Sequence, residues 1–317
     1  MRLRVLLALL ALLALASPVR AAAVPHEPWL GLNGNSGTAH GGLERFVEEN
    51  VVYDRSGGVE MTAGDTVAED EPGLGRSIRA GMIPVIPLDF AGYSKCRYGH
   101  PCLPTDPKAI SEYARGFIAT ADEVIDRYPV VPVKFEIINE PWGYGSSQEY
   151  AAFLALLLPL VAHSDIPPED VYAGASGEGW VQGLYAAQPQ LRTEIHGWYL
   201  HPYGRERRPG QGMAEVPRTR GEMASGQDNL IVSEIGFCAA SIRRVQCLSS
   251  AAPAADPAEA ASALAGELRL ALADHRAGWL RAVLVYSRTD GGWAMQLPKG
   301  RLTDSGRMLE SFAARYG

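Results

Sequence analysis

The sequence is poor in cysteine, has no excess of basic residues, and contains no apolar run long enough to cross a bilayer. A spanning helix needs about 20 apolar residues, and the run from Val5 to Ala16 falls short of that. Its four cysteines lack CxxC spacing, and no histidines cluster near them, which argues against a thiolate or imidazole metal centre. The balance of 29 basic against 36 acidic side chains, a net charge of −7, argues against nucleic acid as the partner. No fixed-length repeat is present, and no low-complexity linker is longer than "SSAAPAADPAEA". The Gly-rich stretch "GLNGNSG" lacks the GxGxxG order that a dinucleotide-binding turn requires.

What is present begins with "MRLRVLLALLALLALASPVRAAA": arginines, a short apolar run, then small residues. This order reads as an export signal over residues 1–21, cut near Ala21 or Ala23. An uncut N-terminal membrane anchor is the alternative. Loss of Arg2, Arg4 and Arg20 with such a segment would leave 26 of the 29 basic side chains against 36 acidic ones, a net charge near −10. The expectation is therefore a secreted or cell-envelope protein with no membrane contact after cleavage. In an exported chain the four cysteines suggest two loop-stapling disulfides. They form two close pairs, Cys96 with Cys102 and Cys238 with Cys247. Three pairings are open, and nearest neighbours are preferred.

With 47% hydrophobic and 21% charged residues, the chain can bury one large core or two modest ones. Short apolar or β-branched runs recur, each followed by a Gly/Pro/Asn/Asp break and then a helical pattern. The strand candidates are 29–35, 51–55, 82–90, 135–138, 171–176, 195–203, 230–237 and 282–288. Helices are expected at 41–50, briefly around 73–81, at 107–127, at 146–162, from Pro257 to about His275, and at 303–314. Asp106 before Pro107, Ser146 with Glu149, and Asp256 before Pro257 are N-terminal capping signals. Eight strands alternating with helices over residues 22–317 predict a single-domain (β/α)₈ TIM barrel. A doubly wound open sheet is the runner-up.

Within this frame "FEIINEPWG" (135–143) starts as a strand interior and cannot continue as one, because Pro141 has no N–H to give a sheet. Asn139 and Glu140 thus stand at a strand's carboxyl end, where parallel α/β proteins build their sites. In "LIVSEIGF" strict alternation puts Leu230, Val232 and Glu234 on one face. A carboxylate following two inward hydrophobes is costly unless it reaches a polar cavity. The same alternation places Gly197, Tyr199, His201 and Tyr203 on the inner face of the sixth strand. Glu140, Glu234, His201 and Tyr203 are therefore expected at one barrel mouth. Two carboxylates facing one pocket suit glycoside hydrolysis, one protonating the leaving oxygen and the other attacking the anomeric carbon.

"IINEP" on the fourth strand with "VSEIGF" on the seventh resembles clan A glycoside hydrolases, retaining (β/α)₈ enzymes. "HPY" after the sixth strand is similar to members such as the family 5 and family 39 enzymes. The resemblance implies Glu140 as acid/base, Asn139 as the ligand of the sugar 2-hydroxyl, and Glu234 as nucleophile. It also implies an oligo- or polysaccharide substrate and carboxyls about 5–5.5 Å apart. No cofactor or metal is expected. Arg55 stands where the clan often places a second-strand arginine. Tyr286 occupies the eighth strand where tryptophan is commoner, and Trp293 arrives only in the following loop.

Trp142 and Trp293 can serve as sugar platforms or as loop packing. Trp198 has the wrong parity for the barrel interior and is expected against the helices. The arginine-laden segment from Tyr203 to Gly226 reads as a solvated loop over the mouth. Two other activities fit the same residues: transglycosylation on the same site, and carbohydrate binding by a vestigial barrel.

Overall fold

A computed structural model describes residues 27–34, 43–55, 61–63, 66–90, 94–95, 101–203, 211–239, 256–286, 294–297 and 300–317. Eight strands form the barrel: β1 Leu30–Asn33, β2 Val51–Arg55, β3 Ile83–Phe90, β4 Lys134–Ile137, β5 Val171–Ala175, β6 Gly197–Leu200, β7 Leu230–Ile235 and β8 Leu280–Tyr286. Each pairs in parallel with its neighbour in sequence, and β1 pairs with β8, which closes the ring. A short extra strand, Met61–Ala63, runs beside the carboxyl half of β3. The predicted (β/α)₈ barrel is the observed architecture.

Nine helices occupy the described residues: α1 Leu43–Glu48, α2 Val67–Arg79, α3 Pro107–Arg127, α4 Ser147–Val161, α5 Trp180–Ala187, α6 Leu191–Glu194, α7 Gln211–Glu222, α8 Pro257–Arg276 and α9 Asp304–Tyr316. Three of them start where the capping signals lie. The amide of Ala109 donates to Asp106 (3.1 Å), that of Ala258 to Asp256 (2.7 Å), and Ser146 and Glu149 close a reciprocal capping box. Such caps satisfy amides that have no partner inside the helix.

Two expectations need correction. The brief helix around 73–81 is a full helix from Val67, with Pro72 inside it. The segment read as a solvated loop after β6 carries α7. Gly212, Pro217 and Gly221 lower its intrinsic propensity, and tertiary support overrides them. Glu267 of α8, 1% exposed, accepts from the amides of Gly212 (3.2 Å) and Met213 (2.8 Å) at the first turn of α7. At its other end Glu222 accepts from the amides of Gly179 and Gln182 at the start of α5.

The apolar residues divide into two layers. A large outer core lies between strands and helices, and a small inner one fills the barrel with Val85, Tyr172, Tyr199, Ile231, Ala282 and Leu284. Trp198 is fully buried in the outer layer, edge-on to Tyr185 of α5. No described helix is long and apolar enough to cross a membrane. Cys102 and Cys238 are not free thiols, whereas Cys96, Cys247 and residues 1–26, including the expected signal, lie outside the described residues.

Candidate active site

Strand alternation alone does not bring the two glutamates into the mouth. On β7 it is Ile231 that faces the interior, while Leu230 and Val232 belong to the outer core. This corrects the expected parity. Between Val232 and Ile235 the register against β8 slips, with Val232 opposite Val283 and Ile235 opposite Val285. Such an irregularity re-aims side chains next to functional sites, and here both Ser233 and Glu234 come to the mouth. Ile137, the last residue of β4, and Ile138 just after it both lie in the outer core. Ile138 (φ 60°) and Glu140 (φ 50°) take left-handed backbone conformations. For a β-branched residue this is costly, and it persists where the surroundings hold it. The Ile138 carbonyl accepts from the Tyr199 hydroxyl, and the Asn139 amide donates to buried Asp89 at 2.8 Å.

Each carboxylate then meets its own partners. Glu234 accepts from Arg55 Nη1 (2.5 Å), Asn33 Nδ2 (3.0 Å) and the Tyr203 hydroxyl. Glu140 Oε1 lies 2.9 Å from His201 Nδ1, and the other ring nitrogen lies 3.1 Å from Ser233 Oγ. His201 Nδ1 is also 3.6 Å from Glu234 Oε2, so one imidazole spans both acids. Arg55 Nε lies 2.8 Å from Glu136 Oε2, and Nη2 donates to Asn139 Oδ1 at 2.8 Å. Arg55, 2% exposed, is no surface arginine.

The surroundings of the two acids differ. The Glu140 side chain is 41% exposed and that of Glu234 is 11% exposed. Burial by itself would raise the Glu234 carboxyl. The His201 ring, the Arg55 guanidinium and the hydrogen bonds from Tyr203 and Asn33 outweigh it and hold the group below its ordinary value. Burial and the adjacent Glu234 push the Tyr203 phenol well above its ordinary value, so it remains a donor. Burial would lower Arg55, but Glu136 and Glu234 raise it and keep the guanidinium charged.

One ligand atom each from Glu140, His201 and Glu234 lies within 4.8 Å of the others. That compactness would also suit a cation. However, a metal beside Glu234 would confront the Arg55 guanidinium and compete with donors already in place.

The structure thus gathers Arg55, Asn139, Glu140, His201, Tyr203 and Glu234. Trp142 follows at the rim, its ring edge-to-face with His201 (5.5 Å) and Trp180 (6.4 Å). Trp293 lies outside the described residues. Sequence reasoning missed Asn33, Asp89, Glu136 and Ser233. A signal existed for Glu136: it is a carboxylate inside an apolar strand, fully buried here.

No protein-family model matches the chain, and a search of curated proteins finds no match. Solved structures do match in fold. A family 39 β-xylosidase from Caulobacter crescentus aligns at 16% identity over 92% of this chain and 72% of its own, with a TM-score of 0.62. A structure of fungal β-1,4-galactanases aligns at 12% identity over 88% and 93%, with a TM-score of 0.59. The catalytic domain of Thermobifida fusca endoglucanase Cel5A aligns at 14% identity over 90% and 91%, with a TM-score of 0.52. The chain therefore shares its closed (β/α)₈ barrel with clan A glycoside hydrolases.

Proposed function

We propose that the protein is a secreted, retaining glycoside hydrolase acting on β-linked sugars. The observation that carries this reading is the approach of a Glu140 oxygen to within 4.8 Å of a Glu234 oxygen, in surroundings that treat the two acids differently. Retaining enzymes hold their carboxyls about 5–5.5 Å apart, whereas inverting enzymes leave room for a water between them.

In the first step Glu234 attacks the anomeric carbon as the bond to the leaving oxygen breaks, and Glu140 gives that oxygen its proton. A glycosyl ester on Glu234 results. In the second step Glu140 takes a proton from water, the water oxygen replaces Glu234 at the same carbon, and both acids return to their starting states. The environment of Glu234 favours the ionised form a nucleophile needs. Asn139, fixed through its amide by Asp89 and through its side chain by Arg55, is positioned to bind the sugar 2-hydroxyl.

No metal or cofactor takes part in this scheme. Export rests on the N-terminal segment, and the Cys96–Cys102 and Cys238–Cys247 bridges are proposed to stiffen loops beside the mouth. The test is azide rescue. Glu234→Gln abolishes turnover of aryl β-glycosides, while Glu140→Gln spares substrates with good leaving groups and is rescued by azide as a β-glycosyl azide. Equal losses without rescue in both variants would refute the assigned roles. Carbohydrate binding with no release of reducing ends by the wild type would point to a binding protein instead.

A further inference from the structure

Beside the catalytic pair lies a groove of about 1040 Å³. Its described lining comes from the carboxyl ends of β5 and β6, the segments after β4, β5 and β6 with the first residues of α4 and α5, and α7, with no residue of β1, β2, β7 or β8. Trp142 and His201 stand where it meets the catalytic pair, Trp180 flanks it, and Glu178, Glu215 and Arg218 line it farther out.

The position of the groove fixes which part of a substrate it can take. The sugar under attack must lie over Glu234, whose partners Asn33 and Arg55 belong to β1 and β2. The departing oxygen must meet the proton of Glu140, on β4's side of the mouth. The departing group therefore runs off past Trp142 and His201, into the groove. Its volume matches the upper end of the roughly 300–1,000 Å³ that encloses a drug-sized ligand, which exceeds the needs of one ring. Among the described residues its wall carries two exposed carboxylates, Glu178 and Glu215, against one guanidinium, Arg218. An acidic sugar there would face this excess of carboxylate among the described residues.

We propose that this groove binds the leaving-group half of the substrate, and that this half is a neutral oligosaccharide of at least two sugar units. The inference rests on the glycosidase reading above. It makes the first product released an oligosaccharide, not a single sugar or aglycone.

Gly177 provides the test. It lines the groove, a Cβ placed on it meets nothing within 4 Å, and its backbone is not in the left-handed region. Gly177→Trp, with the smaller Gly177→Leu as a graded second variant, therefore adds bulk to the groove at a residue outside the catalytic pair. For the wild type, kcat/KM on neutral β-oligosaccharides is expected to rise at least about tenfold as the leaving side grows from one sugar to three, because remote contacts feed the chemical step. Gly177→Trp erases that rise, Gly177→Leu weakens it, and both leave aryl β-glycoside turnover unchanged. A flat dependence on length in the wild type, a rise that survives both variants, or a preference for uronate-bearing leaving groups would overturn the inference. Failure of the wild type on every glycoside, aryl ones included, would instead overturn the glycosidase reading.

Discussion

The Arg55 guanidinium lies 2.5 Å from Glu234 Oε1 while its Nε is held 2.8 Å from Glu136 Oε2. One buried cation thus pairs with two buried carboxylates, one of which stands at the mouth. Removing it would strand both charges. Arg55→Met is expected to cost about 3–5 kcal/mol of stability, as loss of one partner from a buried ion pair does. Urea unfolding reads this directly, and a loss under about 1 kcal/mol, the range of exposed pairs, would contradict the arrangement.

The Tyr203 hydroxyl donates to Glu234 and favours its ionised form. Tyr203→Phe withdraws that donor, so the Glu234 carboxyl rises toward its ordinary 4.5. The acidic limb of the kcat/KM profile for an aryl glycoside should therefore move to higher pH, with the basic limb unmoved. The same depression supports the fold. Its contribution is complete above 4.5 and is lost as pH falls through the lower folded value. Acid unfolding of Tyr203→Phe should accordingly begin at higher pH than that of the wild type.

Tyr199 holds the strained turn before Asn139 by donating to the Ile138 carbonyl. Tyr199→Phe leaves that carbonyl buried without this donor, a cost of about 1–3 kcal/mol in thermal or urea unfolding. Because the turn aims Glu140, kcat should fall more than KM changes. A variant as stable and as active as the wild type would show that the turn holds without this bond.

Glu267 is remote from the chemistry yet caps α7 through the amides of Gly212 and Met213. Glu267→Ala should cost about 1–2 kcal/mol, the scale of a lost helix cap. Aryl glycoside turnover should hold, and longer oligosaccharides should lose their advantage as the wall of the groove loosens. Equal losses on both substrate types would place Glu267 in the support of the whole barrel.

The barrel was legible because parallel strands buried on both faces read as apolar runs, and because Asp106, Ser146 and Asp256 mark helix starts. Glu140 and Asn139 were legible through Pro141, which ends the strand in any fold. Glu234 was reached by a wrong route: strict alternation pointed to it, whereas a register slip delivers it. Such slips and the left-handed turn at Ile138 leave no mark in residue type, since neither position is glycine. Asn33 and Asp89 sit at ends of apolar strands, and their role appears only when the ring closes and sets them beside Glu234 and Asn139. The helix α7 was hidden because its stability comes from Glu267 and Glu222, carboxylates on partner and self that no local window can see.

The two fastenings of α7 separate what this molecule does from what it does it to. On the proposed reading the reaction centre hangs from strand ends locked around Arg55, whereas the panel that would face the departing chain is clipped to neighbouring helices by two acids. Sequence drift in that panel can redraw the range of accepted polymers while the bond-breaking apparatus stays intact, so variation among relatives should concentrate between residues 203 and 222 and spare the core beneath.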